Sequence, residues 1–271
     1  MDSDQQSLSN ILQRLVNSPD NHTDFDNTWT QGRSAFGGLS AAFAVTAMRK
    51  ALGSALPLRS LMVSFIAPLP PGTVQVQSRI LRQGRNVTQM SAEVLSDGQV
   101  CLQALAAFGV ARDELQVVAP QIKPESRDSG LNIAEHRKRM PEFLQYFEGA
   151  WLGEGLPFSG KRSNTLNMWV KHQAGMGEFA DEKLVTIADI PPPVVLSYFD
   201  TPPVPASSLT WSLEFVQPAE RIDSDWFYLQ FTAEAAAEGY TQQSGRIYSE
   251  SGELCALSRQ CMVYFGNRDA T

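Results

Sequence analysis

The chain resembles itself, and that constrains its fold more than any other feature. Residues 61–68 (LMVSFIAP) align with 211–218 (WSLEFVQP), which sets Phe65 on Phe215 and Pro68 on Pro218 at an offset of 150. Further on, residues 97–101 (DGQVC) align with 251–255 (SGELC) at an offset of 154. Each copy then runs a strand into a Phe-Gly pair, Phe108-Gly109 and Phe265-Gly266. Two matches in the same order at nearly one offset indicate a duplicated domain with a slightly longer loop in the second copy. The alternative is chance agreement between short apolar strings.

Both copies carry the same order of elements. Residues 37–52 (GGLSAAFAVTAMRKAL) are apolar almost all round, as a buried helix is, and Arg49 and Lys50 sit at the end the helix dipole favours. Four strands are expected next, at 60–67, 73–82, 86–95 and 99–108, separated by Pro70-Pro71-Gly72, Gln83-Gly84 and Asp97-Gly98. The second copy is expected to hold early strands at 164–172 and 183–187. A shorter helix follows at 192–199, because prolines suit a helix start, and then strands near 209–217, 226–235, 239–250 and 253–265. The domain boundaries that follow are a first repeat at 1–115, a linker at 116–140 and a second repeat at 141–271. A buried helix followed by an antiparallel meander is an α+β unit, a sheet wrapped around its helix, and not a βαβ one.

Composition narrows the partners. The 271 residues carry 22 basic and 29 acidic side chains, a net charge of −7, which argues against a nucleic-acid or anionic-membrane surface. No apolar stretch approaches the ~20 residues needed to span a bilayer, and the polar start MDSDQQSLSN has no signal-peptide pattern, so a cytoplasmic protein is expected. Cys101, Cys255 and Cys261 read as reduced thiols, and His22, His136 and His172 are too scattered for a zinc site, so neither metal nor cofactor is expected.

The element order, the string Ala35-Phe36-Gly37-Gly38, the proline-bearing bend after 60–69 and the closing strands together resemble the bacterial acyl-CoA thioesterase II family over residues 28–265. The resemblance implies a double hotdog fold and hydrolysis of a fatty or related acyl-CoA. It also implies a catalytic set of an aspartate, a threonine or serine, and a glutamine, which falls on Asp200, Ser208 and Gln260. Where the family often has Asp-His after its Thr/Ser position, this chain has Thr210-Trp211.

The residues themselves are compatible with that chemistry. Asp200 would close a short apolar helix, where dipole and surroundings disfavour a carboxylate; the alternative is a solvated Asp opening the Thr201-Pro202-Pro203 turn. Gln260 shares a strand face with Ser258 and Met262 and needs partners if that face is inward. Ser208 would orient a water, or make a local turn bond. Gly37 and Gly38 offer two N–H groups at a helix start, fit for an oxyanion, or else serve a tight turn. At the repeat offsets Asp200, Ser208 and Gln260 fall on Lys50, Leu58 and Ala106, while Gly37 and Gly38 fall on Ile187 and Ala188. A single site composed from both halves is therefore expected. The chain lacks a GxSxG elbow, a P-loop and a dinucleotide loop. The alternative function is a non-catalytic hotdog that binds acyl or aromatic ligands. Sheet edges left open by such folds lead to an expected homo-oligomer.

Overall fold

The computed structural model of the protein describes residues 6–266. The strands are β1 His22–Phe25, β2 Thr30–Gln31, β3 Ser34–Ala35, β4 Leu58–Phe65, β5 Gly72–Gln83, β6 Val87–Ser96 and β7 Gln99–Gly109 in the first half. The second half holds β8 Leu131–Asn132, β9 Phe147–Leu152, β10 Thr165–His172, β11 Ala206–Phe215, β12 Phe227–Ala237, β13 Tyr240–Ser249 and β14 Leu254–Tyr264. The helices are α1 Leu8–Asn17, α2 Gly37–Leu52 and α3 Ala180–Ala188. Twelve strands form one sheet in the order β1-β5-β6-β7-β4-β11-β14-β13-β12-β10-β9-β8, antiparallel throughout, and β2-β3 is a separate hairpin.

The register establishes the duplication. β4 and β11 meet at the centre with Met62 opposite Ser212, its own repeat equivalent, and with Leu61 opposite Leu213 and Val63 opposite Trp211. A local two-fold axis therefore passes between the halves. The strand ends close alike: Ile66 N–H donates to Cys101 O, and Val216 N–H to Cys255 O, each at 2.9 Å. Each half is a helix held in the curve of an antiparallel sheet, and the two sheets join edge to edge. This is the double hotdog.

α2 is buried on every side from Gly38 to Met48, which explains its nearly uniform apolar sequence. Gly53 ends it in the left-handed region (φ 61°), its N–H returning to Arg49 O. α3 packs antiparallel to α2: Gly38 lies beside Thr186, Thr46 Oγ1 donates to Glu182 Oε1 at 2.8 Å, and Arg49 Nε donates to Asp181 Oδ2 at 2.6 Å. α1 caps the first half with the stripe Leu8, Ile11, Leu12 and Leu15, and Ser7 Oγ accepts from Asn10 N–H at its start.

Two sequence expectations fail in the second half. The helix expected at 192–199 is only a 3₁₀ turn, Val194–Tyr198, and the strand expected at 183–187 is the middle of α3. A short apolar run such as Leu184–Ala188 fits either state, and burial against α2 decides for the helix. The stretch 116–140 carries two 3₁₀ turns and the short strand β8, which adds to the edge of the sheet at β9.

Candidate active site

Gln260 lies on β14 directly opposite Trp211 of β11, with 2 % of its surface exposed. Its first-half equivalent, Ala106, lies opposite Leu61 in the same way. A buried amide left unpaired costs about 1–3 kcal/mol, and Gln260 is paired at both ends. Its Nε2 donates to Asp189 Oδ1 at 2.7 Å, and its Oε1 accepts from Gln243 Nε2 at 2.9 Å. Gln243, also buried, accepts at Oε1 from the Val194 N–H at 3.0 Å.

Asp189 follows the last residue of α3, and the N-terminus of α2 meets it there. The Gly38 N–H donates to its carboxyl, and a Cβ placed on Gly37 would lie 2.6 Å from Asp189 Oδ2. The carboxylate thus feels the unfavourable end of α3 and the favourable end of α2. It sits deep among protein atoms, and desolvation pushes its pKa up to about 7 against the opposing hydrogen bonds from Gln260 and Gly38. The residue nevertheless keeps partial accessible surface. A carboxyl poised near neutrality, with an amide fixed beside it, is suited to accepting a proton from water.

Asp200 lies elsewhere. It is exposed beside the Thr201 turn, and its Oδ1 accepts from Thr201 Oγ1 at 3.0 Å. The carboxylate that Gln260 touches is Asp189, eleven residues earlier. The aspartate that closes a short, buried helix is Asp189, because the helix spans Ala180–Ala188 and not 192–199. Two signals pointed there: acidic Asp181 and Glu182 in the first turn, and Pro191 shortly after the end.

Ser208 lies opposite Met262 on β11, and a register shift before Thr210 leaves it on the same inward face as Gln260 and Trp211. It is half-buried. Gly37 and Gly38 do open α2, and the anion at that helix start is the carboxyl of Asp189. Trp211 is buried and donates through Nε1 to Ser258 Oγ at 2.9 Å, whereas Thr210 faces outward and is exposed.

Two hotdog units that share one carboxylate–amide pair, set against a glycine helix start from the other unit, define a thioesterase-like double hotdog. The acyl-CoA thioesterase C-terminal domain family matches residues 119–264, and the acyl-CoA thioesterase N-terminal domain family matches residues 25–109. The chain belongs to the acyl-CoA thioesterase family.

Solved structures agree on the fold. A hotdog-fold protein of unknown function from Alicyclobacillus acidocaldarius is 20% identical with a TM-score of 0.77, covering 91% of this chain and 93% of its own. An acyl-CoA thioesterase II from Mycobacterium marinum is 16% identical with a TM-score of 0.68, covering 88% and 92%. A tesB protein of Mycobacterium avium subsp. paratuberculosis is 17% identical with a TM-score of 0.66, covering 92% and 90%. No curated protein matches the sequence.

Proposed function

We propose that the protein hydrolyses the thioester of a fatty or related acyl-CoA. The contact of Gln260 Nε2 with Asp189 Oδ1 at the N-terminus of α2 carries this reading. In the proposed reaction, Asp189 takes a proton from a water bound beside the Asp189–Gln260 pair, and the water oxygen attacks the acyl carbon. The helix start at Gly37 and Gly38 holds the Asp189 carboxyl through the Gly38 N–H, its positive end lies beside the charge that develops in the transition state, and Ser208 helps to orient the water. Collapse of the tetrahedral intermediate breaks the C–S bond, and Asp189 returns its proton to the departing CoA thiolate. Asp189 replaces Asp200 in the catalytic set, alongside Ser208 and Gln260. The site then draws its base and amide from the second repeat and its helix dipole from the first.

The test is thiol release from acyl-CoAs of graded chain length, followed with a thiol reagent over a range of pH. The base must be ionised, so kcat/KM is expected to rise with pH through about 7, where burial has pushed Asp189. Acyl-CoA binding without any thiol release would favour the non-catalytic alternative. We also propose a cytoplasmic location and self-association. The first is supported by Cys101, Cys255 and Cys261 all being free thiols. Among the described residues no helix is long and apolar enough to cross a membrane.

A further inference from the structure

Gln243 has no part in the proposed chemistry, yet its hydrogen bonds are directional in a way that bears on it. The Val194 backbone N–H can only donate, so the end of Gln243 that faces it at 3.0 Å is the oxygen. The amide nitrogen of Gln243 is thereby turned to Gln260, at 2.9 Å from its oxygen, and the nitrogen of Gln260 is turned to Asp189, at 2.7 Å. A donor at one end, the Val194 N–H, and an acceptor at the other, the ionised carboxylate, thus agree on the sense of three hydrogen bonds in series. Were either amide reversed, two acceptors or two donors would face each other.

The repeat supplies an independent observation. Gln243 and Gln260 are a directly opposed cross-strand pair on β13 and β14. The corresponding pair on β6 and β7 is Met90 and Ala106, both buried and apolar. Packing at this position is therefore satisfied without polar groups. Both members are amides in the half that holds Asp189, and apolar in the half that does not.

We propose that Gln243 is a positioning residue that carries the polarity of the Val194 N–H through Gln260, so that Gln260 presents its NH₂ and not its oxygen to Asp189. This rests on the reading of Asp189 and Gln260 as the water-activating pair. With Gln243 removed, the buried Gln260 oxygen loses its donor, only the carboxylate is left to hold the amide's sense, and the hydrogen bond given to Asp189 weakens.

Two variants test it. Gln243→Met keeps the length and removes the polar end. Gln243→Glu keeps the shape, and its ionised form accepts from both neighbours, turning the Gln260 NH₂ away from Asp189. Each is checked for folding by circular dichroism. Each is then assayed for kcat and KM on an acyl-CoA, and the Asp189 carboxyl is titrated by carbon NMR. In both, kcat is expected to fall by ~10–100-fold, the kinetic equivalent of one charge-assisted hydrogen bond, with KM little changed. The Asp189 titration and the acid limb of the pH profile are expected to move upward together. A folded variant of either kind with wild-type kcat and an unmoved titration overturns the proposal, as does a change confined to KM. Asp189→Asn, assayed in parallel, separates the two claims. If it is inactive while both Gln243 variants behave as wild type, the relay alone is wrong. If it is fully active, the underlying reading is wrong.

Discussion

An alanine at position 37 would place its Cβ 2.6 Å from Asp189 Oδ2 and 3.1 Å from the Phe65 ring, so the carboxyl must give way. Misplacing a reacting group by about 1 Å costs on the order of 10²-fold in rate, and a loss of kcat of that order is expected for Gly37→Ala. Steady-state kinetics on a folded variant checks it, and an unchanged kcat would show that the helix start does not set the carboxyl's place. At this scale part of the site was legible in the sequence. Gln260 is singled out by the family resemblance, since alternation along its strand leaves its face open, and Gly37 and Gly38 by the two glycines that open an apolar helix. Asp189 was not found. Val185, Thr186 and Ile187 are β-branched and read as a strand, while the prolines at 191–193 read as a helix start. That pattern puts the helix end at Asp200, whereas α3 ends eleven residues earlier, before Asp189. Gln243 was not legible either, since alternation along β13 gives no hint that its partner is an amide.

The interface of α2 with α3 contains charged groups that the proposed chemistry does not use. Asp181 is paired with Arg49, whose guanidinium also lies over the Phe108 ring, and Glu182 accepts from Thr46. Burial, and then the charge of Asp181, push the Glu182 pKa up to about 7 from 4.5, against the hydrogen bond from Thr46 and the charge of Arg49. The sign follows from proton counting. Between pH 4.5 and about 7 the folded chain holds a proton on Glu182 that the unfolded chain has lost, so this group's contribution to stability falls as pH rises through that window. Glu182→Gln has no proton to lose. Its melting temperature relative to wild type is therefore expected to climb by a few degrees from pH 4.5 to pH 8. A difference that stays constant across that range would show that Glu182 is ionised in the folded protein throughout. The element order was legible at this scale wherever period and turn signals agreed, as in β4 to β7 and β11 to β14. It failed at α3, where tertiary burial and not local pattern chose the helix.

Across the whole molecule, the duplication read from two short strings is realised as a local two-fold axis through Met62 and Ser212. The site does not obey that axis, because the equivalent of Gln260 in the other repeat is Ala106, and the carboxylate that meets the α2 start comes from the second repeat. The sheet ends in short strands, four residues in β1 and two in β8, which offer little backbone for edge pairing. Self-association is therefore expected to use the sheet face, where Met62 and Leu105 are exposed. Sedimentation at micromolar concentration is expected to show a dimer or larger, and a lone species near 29.8 kDa would remove that expectation. The proposed water-activating base is the carboxylate held between the two halves, and the direct measurement compares Asp189→Asn with Asp200→Asn in the thiol-release assay. Asp189→Asn is expected to lower turnover by roughly 10²–10⁴-fold while remaining folded, and Asp200→Asn to hydrolyse acyl-CoA at the wild-type rate. Wild-type turnover in Asp189→Asn, or its collapse in a folded Asp200→Asn, would contradict it.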